Sequence, residues 1–170
     1  MDKQEHGGKV VAVAAKSVSR LTRLIEELPS RPDVDRSDSL VVVGVADEMG
    51  WIASAFAPMS GGVTSMGMRT EMVRLAGEVA QQAVRAAPQT VTVRHFACQG
   101  WTDRTFTETL AAHGCYRLIV DRADLRPRQL RRVEMSAAGA GIELTLSAAR
   151  DAEPFVVGDP PGRSLANLPA

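Results

Sequence analysis

Aromatic residues are scarce in this sequence of 170 residues, and neither sign of charge is in excess. Aromatic side chains make up 4% of the chain, so its core must be built from Val, Leu, Ile, Ala and Met. Twenty Lys and Arg balance twenty Asp and Glu, and this balance argues against a global electrostatic field for nucleic acid or an anionic membrane. Any recognition of charge would depend on local patches.

Cysteine and long hydrophobic runs are also rare. Cys98 falls at the end of one predicted strand and Cys115 at the start of the next parallel strand, so we expect no disulfide between them, and their spacing matches no metal motif. The apolar run at residues 10–15 is too short for a signal peptide, and no segment approaches the length of a membrane span. We expect a cytoplasmic protein without a metal or other cofactor.

Residues 90–122 carry the clearest structural pattern. Val91 and Val93 alternate with polar residues, as in a strand with two different faces, and a helical segment then ends at Gly114. The run at residues 118–120 is apolar on both faces, which is typical of a buried parallel strand. A strand, a helix and a second strand joined this closely form a right-handed crossover, so the segment predicts a parallel sheet.

The remaining segments alternate in the same way. Two further buried strands are predicted at residues 10–15 and 40–45, and a half-exposed strand at residues 142–147. A long helix before Pro88 is predicted to bury an apolar stripe made of Met72, Leu75, Ala76, Val79 and Ala83. The fold class predicted is α/β, a three-layer α/β/α sandwich with a five-stranded, mainly parallel sheet. We expect one domain at 9–147 with a long loop at 50–67, a disordered start at 1–8 and an extended or disordered tail at 148–170.

The order and lengths of these elements resemble the universal stress protein (UspA-like) family of stress-response proteins. Two phrases carry the resemblance: MVRLAGEVAQQAVRAAPQTVTVRHF at residues 72–96 and FTETLAAHGCYRLIVDR at residues 106–122. The resemblance implies a Rossmann-like, adenine nucleotide alpha hydrolase-like sheet in the order 3-2-1-4-5. It also implies a homodimer in which the last strand pairs with its equivalent in a second subunit.

The nucleotide-binding motif of that family is absent here. Its ATP-binding members place an Asp just after the first strand and a Gly-rich segment, G-x2-G-x9-G-[ST], after the fourth. This chain has AAKS at residues 14–17 and DRADLRP at residues 121–127, with no glycine after the fourth strand before Gly139. Because bulky side chains keep main-chain N–H groups from approaching phosphates, we predict a degenerate nucleotide site that does not bind ATP in the usual way.

A ligand crevice is still expected where the strand order reverses, between the first and fourth strands. The residues predicted to line it are Lys16, Ser17, Ala46, Asp47, Asp121 and Arg122. In one interpretation, Lys16 and Arg122 contact the phosphates of ATP or another adenine nucleotide. In the other, Lys16 and Asp121 form a surface ion pair that contributes little.

Two further segments are open to interpretation. The arginine-rich run at residues 122–132 could bind phosphate or RNA, but no aromatic residue is interleaved for base stacking, so a solvated helix face paired to Asp121, Asp124 or Glu134 is favoured and nucleic acid is disfavoured. The Met- and Gly-rich loop at residues 59–68 could cover the crevice or pack on a partner subunit. The large apolar residues that precede it favour packing.

Three functional hypotheses follow. The first is a non-enzymatic, dimeric stress protein-like module that acts through contacts with an unknown protein partner, with the apolar alternation of Ile142, Leu144 and Leu146 at the dimer interface. The second is a protein that binds a nucleotide or other phosphate-bearing ligand in the crevice. The third is a small Mg²⁺-dependent enzyme that uses strand-end carboxylates such as Asp47, Glu48, Asp121 and Asp124. No nucleophile with an adjacent base is found, so no catalytic residue is assigned.

Overall fold

A computed structural model describes residues 9–32, 34, 39–46, 65–102 and 104–148 of the chain. Its five strands are β1 (Val10–Ala15), β2 (Ser39–Val45), β3 (Val93–Cys98), β4 (Cys115–Asp121) and β5 (Glu143–Ser147). Its four α-helices are α1 (Val18–Glu27), α2 (Ser65–Ala83), α3 (Arg104–Ala112) and α4 (Pro127–Gly139). Short 3-10 turns occupy Leu28–Ser30, Val84–Ala86 and Arg122–Asp124.

The five strands form one parallel sheet in the order β3-β2-β1-β4-β5. This order confirms the predicted fold class and the strand order that the family resemblance implied. β1 lies at the centre, paired with β2 on one side and with β4 on the other. β2 and β3 lie on one side of β1, and β4 and β5 lie on the other side. The direction in which strands are added to the sheet therefore reverses between β3 and β4 of the chain.

The two faces of the sheet hold separate hydrophobic clusters. One cluster joins Val11, Val13 and Val42 of the sheet to α1 and α2. The other joins Ala12, Val43 and Leu118 of the sheet to α3 and α4. Alternate residues of each buried strand thus pack against the helices on opposite faces of the sheet, which is why these strands are apolar on both faces.

The α2 helix lies unusually close to β2. A Cβ atom placed on Gly44 would lie 1.8 Å from the main-chain oxygen of Ala76, so only glycine fits there. The buried face of α2 is accordingly made of small residues, namely Ala76, Ala80 and Ala83, whereas Leu75 is 47% exposed. The predicted stripe was right about Ala76 and Ala83 and wrong about Leu75, while Met72 and Val79 are half-buried. The buried face is centred on Ala76, Ala80 and Ala83, and Leu75 lies beside it.

One further local signal behaves as the sequence predicts, and two other features were not predicted. Gly114 follows α3 with φ +72°, the left-handed conformation that ends many helices. Ser17 accepts a hydrogen bond at its Oγ from the main-chain N–H of Arg20 (3.4 Å) and so caps α1. Trp101, which the sequence did not mark as core, is 2% exposed and meets Phe106 edge to face at 5.8 Å between ring centroids.

Several predictions concern residues outside the described ranges. The structure does not describe residues 1–8, 47–64 and 149–170. Most of the predicted loop at 50–67 and nearly all of the predicted tail fall in these ranges. The α2 helix begins at Ser65, so the last three residues of that predicted loop are helical. No helix in the described part of the chain is both long enough and apolar enough to cross a membrane.

Candidate functional site at the carboxyl ends of β1 and β4

The crevice predicted from the sequence lies where β1 ends at Ala15 and β4 ends at Asp121. α1 begins just after β1, and the 3-10 turn Arg122–Asp124 begins just after β4. Ligands enter doubly wound sheets at such a switch point. In this chain the switch point is occupied by charged side chains of the protein itself.

Two buried carboxylates occupy this position. Asp121 is 1% exposed and Asp124 is 5% exposed. Arg20 on α1 forms an ion pair with Asp124, and Arg23 on the same helix forms one with Asp121. Arg20 Nε also lies 3.6 Å from Asp121 Oδ2, so the two pairs form a single network.

Main-chain N–H groups complete the network. The N–H of Lys16 donates to Asp124 Oδ2 (3.0 Å), and the N–H of Ala123 donates to Asp121 Oδ1 (3.0 Å). Buried carboxylates need such donors, because charge removed from water is tolerated only when it is paired and hydrogen-bonded. Two of the amides that follow β1 and β4 are therefore already engaged by side chains.

The arginines come from one face of α1. Arg20, Arg23 and Glu27 follow one another at spacings of three and four residues, which places them on the same side of a helix. Glu27 accepts a hydrogen bond from Ser147 Oγ at the end of β5 (2.9 Å) and lies 3.7 Å from Arg23 Nε. This polar face, here called the α1 charge stripe, ties α1 to the ends of β4 and β5.

The structure gathers some of the predicted site residues and not others. Lys16, Ser17 and Asp121 lie at the carboxyl ends of β1 and β4, and Ala46, 5% exposed, directly follows β2. Arg122 is exposed to solvent, and Asp47 lies outside the described residues. Both interpretations of Lys16 missed that the main partners of the carboxylates are Arg20 and Arg23. The only sequence signal for them is their spacing with Glu27.

The side chains of Cys115, His95 and His113, which could support catalysis, are not placed next to an activating group in the described structure. Burial raises the pKa of the Cys115 thiol to about 11, so it stays protonated at neutral pH and is unsuited to act as a nucleophile. The His113 ring stacks on Phe96 with 5.6 Å between centroids, and His95 is exposed. Among the described residues, no group of three His, Cys, Asp or Glu side chains could hold a metal ion.

The residues predicted for the dimer interface lie at the edge of the sheet, since β5 pairs with β4 alone among the described strands. Ile142 is 3% exposed and belongs to the core cluster of α3 and α4. Leu144 and Leu146 are partly buried and pack against the same cluster. Their apolar faces are thus largely covered within one chain, whereas the outer edge of β5 has no strand beside it in the described structure.

Comparisons with known proteins give a structural similarity alone. No family model matches the sequence, and no curated protein matches it. A solved universal stress protein in complex with cAMP is 13% identical, with a TM-score of 0.41, over 84% of this chain and 98% of its own. A universal stress protein from Archaeoglobus fulgidus is 10% identical, with a TM-score of 0.41, over 81% of this chain and 92% of its own. Both of these solved proteins are universal stress proteins, the family that the sequence resembles.

Proposed function

We propose that residues 9–147 form a divergent universal stress protein-like module that is not an enzyme. It acts as a homodimer through contacts with another protein and does not hold ATP at the β1/β4 crevice in the manner usual for the family. The observation that carries this proposal is the pair of buried carboxylates, Asp121 and Asp124, ion-paired to α1 where phosphates would have to lie.

The carboxylates oppose a triphosphate in two ways. They occupy the guanidinium groups of Arg20 and Arg23, which would otherwise be available to phosphate, and they already accept the N–H groups of Lys16 and Ala123. Asp121 and Asp124 also have the spacing of the first two glycines of the family motif, so carboxylates stand where the family resemblance leads one to expect bare backbone. A phosphate cradle built from main-chain amides needs free N–H groups, and here those of Lys16 and Ala123 are already engaged by carboxylates.

Backbone amide signals offer a local test of the nucleotide part of this proposal. With about 1 mM ATP, the ¹⁵N–¹H signals of Lys16 and Ala123 are expected to stay at their ligand-free positions, because neither hydrogen bond to a carboxylate breaks. The readout is local, so it reports on the crevice even if ATP binds elsewhere on the chain.

Movement of both signals with ATP would contradict the proposal. If Lys16→Ala and Arg122→Ala then abolished that movement, the alternative would hold, namely a phosphate-bearing ligand in the crevice contacted by these two side chains. A movement caused by Mg²⁺ alone would favour the third hypothesis, a metal-dependent enzyme using the strand-end carboxylates.

The homodimer is proposed to form along the outer edge of β5. An unpaired strand edge offers main-chain donors and acceptors to a second copy, and a lysine on an edge strand opposes such pairing. Thr145, partly exposed at the middle of β5, is therefore the better position for a test than Ile142, whose substitution would damage the core.

Light scattering on wild-type protein is expected to give twice the 18.2 kDa of one chain, and Thr145→Lys is expected to give the mass of one chain. Thr145→Val keeps the strand propensity and removes no main-chain group, so it should remain dimeric. A wild-type mass of 18.2 kDa at high protein concentration would rule out this part of the proposal.

A further inference from the structure

A basic cavity lies apart from the charged network of α1, beside the first turn of α4. It is open to solvent, has a volume of about 520 Å³ and is lined by Thr102, Arg126, Pro127, Arg128, Gln129 and Arg132. Thr102 comes from the segment that leads into α3, so the cavity lies between the starts of α3 and α4. This volume is in the usual range for a small-ligand site.

The arginines of this cavity differ from those that are neutralised by acidic side chains within the chain. Arg20, Arg23 and Arg117 are each paired to a carboxylate. No described carboxylate forms an ion pair with any arginine of the cavity, and all of these arginines are exposed. Three like charges around one cavity repel one another, and an anion placed between them would relieve that repulsion.

The acids expected to neutralise this segment are engaged elsewhere. The sequence predicts that Asp121, Asp124 or Glu134 pairs with the arginine run, but the first two are held by α1. Glu134 is exposed and forms no ion pair within the described ranges. The α1 charge stripe therefore leaves the start of α4 with an excess of positive charge.

The lining of the cavity fits a compact oxyanion. Guanidinium groups bind phosphate oxygens in a planar, two-pronged geometry, and the first turn of α4 adds the positive end of a helix dipole. Gln129 is 8% exposed, and its Oε1 accepts the N–H of Arg126 (3.0 Å), which fixes the start of that helix. None of the described residues that line the cavity is aromatic, so none of them would stack on a base.

We propose that this cavity binds a small, multiply charged phosphate compound, such as a diphosphate or polyphosphate group, through Arg126, Arg128 and Arg132. The proposal goes beyond the proposed function, since it concerns a different site and leaves the β1/β4 crevice closed. It predicts that the binding affinity depends on the number of phosphate groups in the ligand and not on the identity of any base attached to them.

Inorganic pyrophosphate is the probe for this site. Titration at about 150 mM salt, where charges more than about 8 Å away are largely screened, is expected to move the amide signals of Thr102, Arg128 and Gln129 and to leave those of Lys16 and Ala123 in place. The Arg128→Gln, Arg132→Gln variant is expected to bind pyrophosphate at least roughly tenfold more weakly, because two charge-assisted contacts are lost.

Arg131→Gln is the matched control, because it removes the same charge from an exposed position of α4 that does not line the cavity. Its affinity for pyrophosphate should stay within about twofold of wild type, as expected for a screened, more distant charge. Equal weakening by the control and the double variant would show non-specific attraction and overturn the proposal. So would the absence of any signal change at about 1 mM pyrophosphate, a concentration that detects even weak binding.

Discussion

Gly44→Ala is expected to lower the free energy of unfolding of the protein strongly, although it adds only one methyl group. The new Cβ would lie 1.8 Å from the main-chain oxygen of Ala76, and neither atom belongs to a flexible side chain. Relief requires α2 to move away from β2. Overpacking of this kind typically costs about 1–3 kcal/mol and occasionally more, and we expect a value of about 3 kcal/mol or above.

Thermal unfolding followed by circular dichroism checks this prediction. For a domain of this size, 3 kcal/mol corresponds to a fall of roughly 6–12 °C in Tm. Gly77→Ala is the matched control, because its Cβ would meet only the Cβ of Ala97, at an ordinary 3.8 Å, and alanine favours a helix over glycine by about 1 kcal/mol. A Gly44→Ala protein as stable as Gly77→Ala would show that α2 does not pack on β2 at this distance.

The second large effect is expected from the α1 charge stripe. Replacing Arg20 and Arg23 by Met leaves the carboxylates of Asp121 and Asp124 buried without a cation, although their main-chain donors remain. Breaking a buried pair in this way costs about 3–5 kcal/mol. Asp121→Asn with Asp124→Asn should cost less, because Arg20 and Arg23 are 40% and 33% exposed at their side chains and can turn to water.

A double-mutant cycle measures the coupling. The variant with all four substitutions is expected to regain part of the stability lost in the double arginine variant, since no unpaired buried charge remains. Arg74→Met is the control, because the pairs of Arg74 with Glu71 and Glu78 are exposed, and its free energy of unfolding should stay near that of wild type. Additive effects across the cycle would mean that the arginines and carboxylates do not interact.

The sequence predicted the sheet well because each strand carries its own signal. The apolar runs of β1, β2 and β4 and the left-handed glycine after α3 are local patterns, and local patterns are readable without coordinates. The burial of Leu75 was mispredicted for a related reason. Helical periodicity shows that one side of α2 is apolar, but it does not show that the close approach of α2 to Gly44 centres the buried face on Ala76, Ala80 and Ala83.

The charged network could be predicted only in part. Asp121 and Lys16 were placed correctly at strand ends, because strand ends follow from the strands themselves. Their partners were missed, since Arg20 and Asp124 are 104 positions apart in sequence and meet only after the chain has crossed the sheet. Spacing within α1 shows that Arg20, Arg23 and Glu27 share a face, but not which strand lies beneath it.

The central position of β1 also sets the order in which this chain can be completed during synthesis. β1 pairs with β2, which emerges soon after it, and with β4, which emerges some hundred residues later. Until then one side of β1 is an open edge, and the arginines of α1 have not met their carboxylates. Contacts between such distant segments slow folding, so a nascent chain that ends before β4 is an incomplete sheet with the wholly apolar strand β1 at its edge.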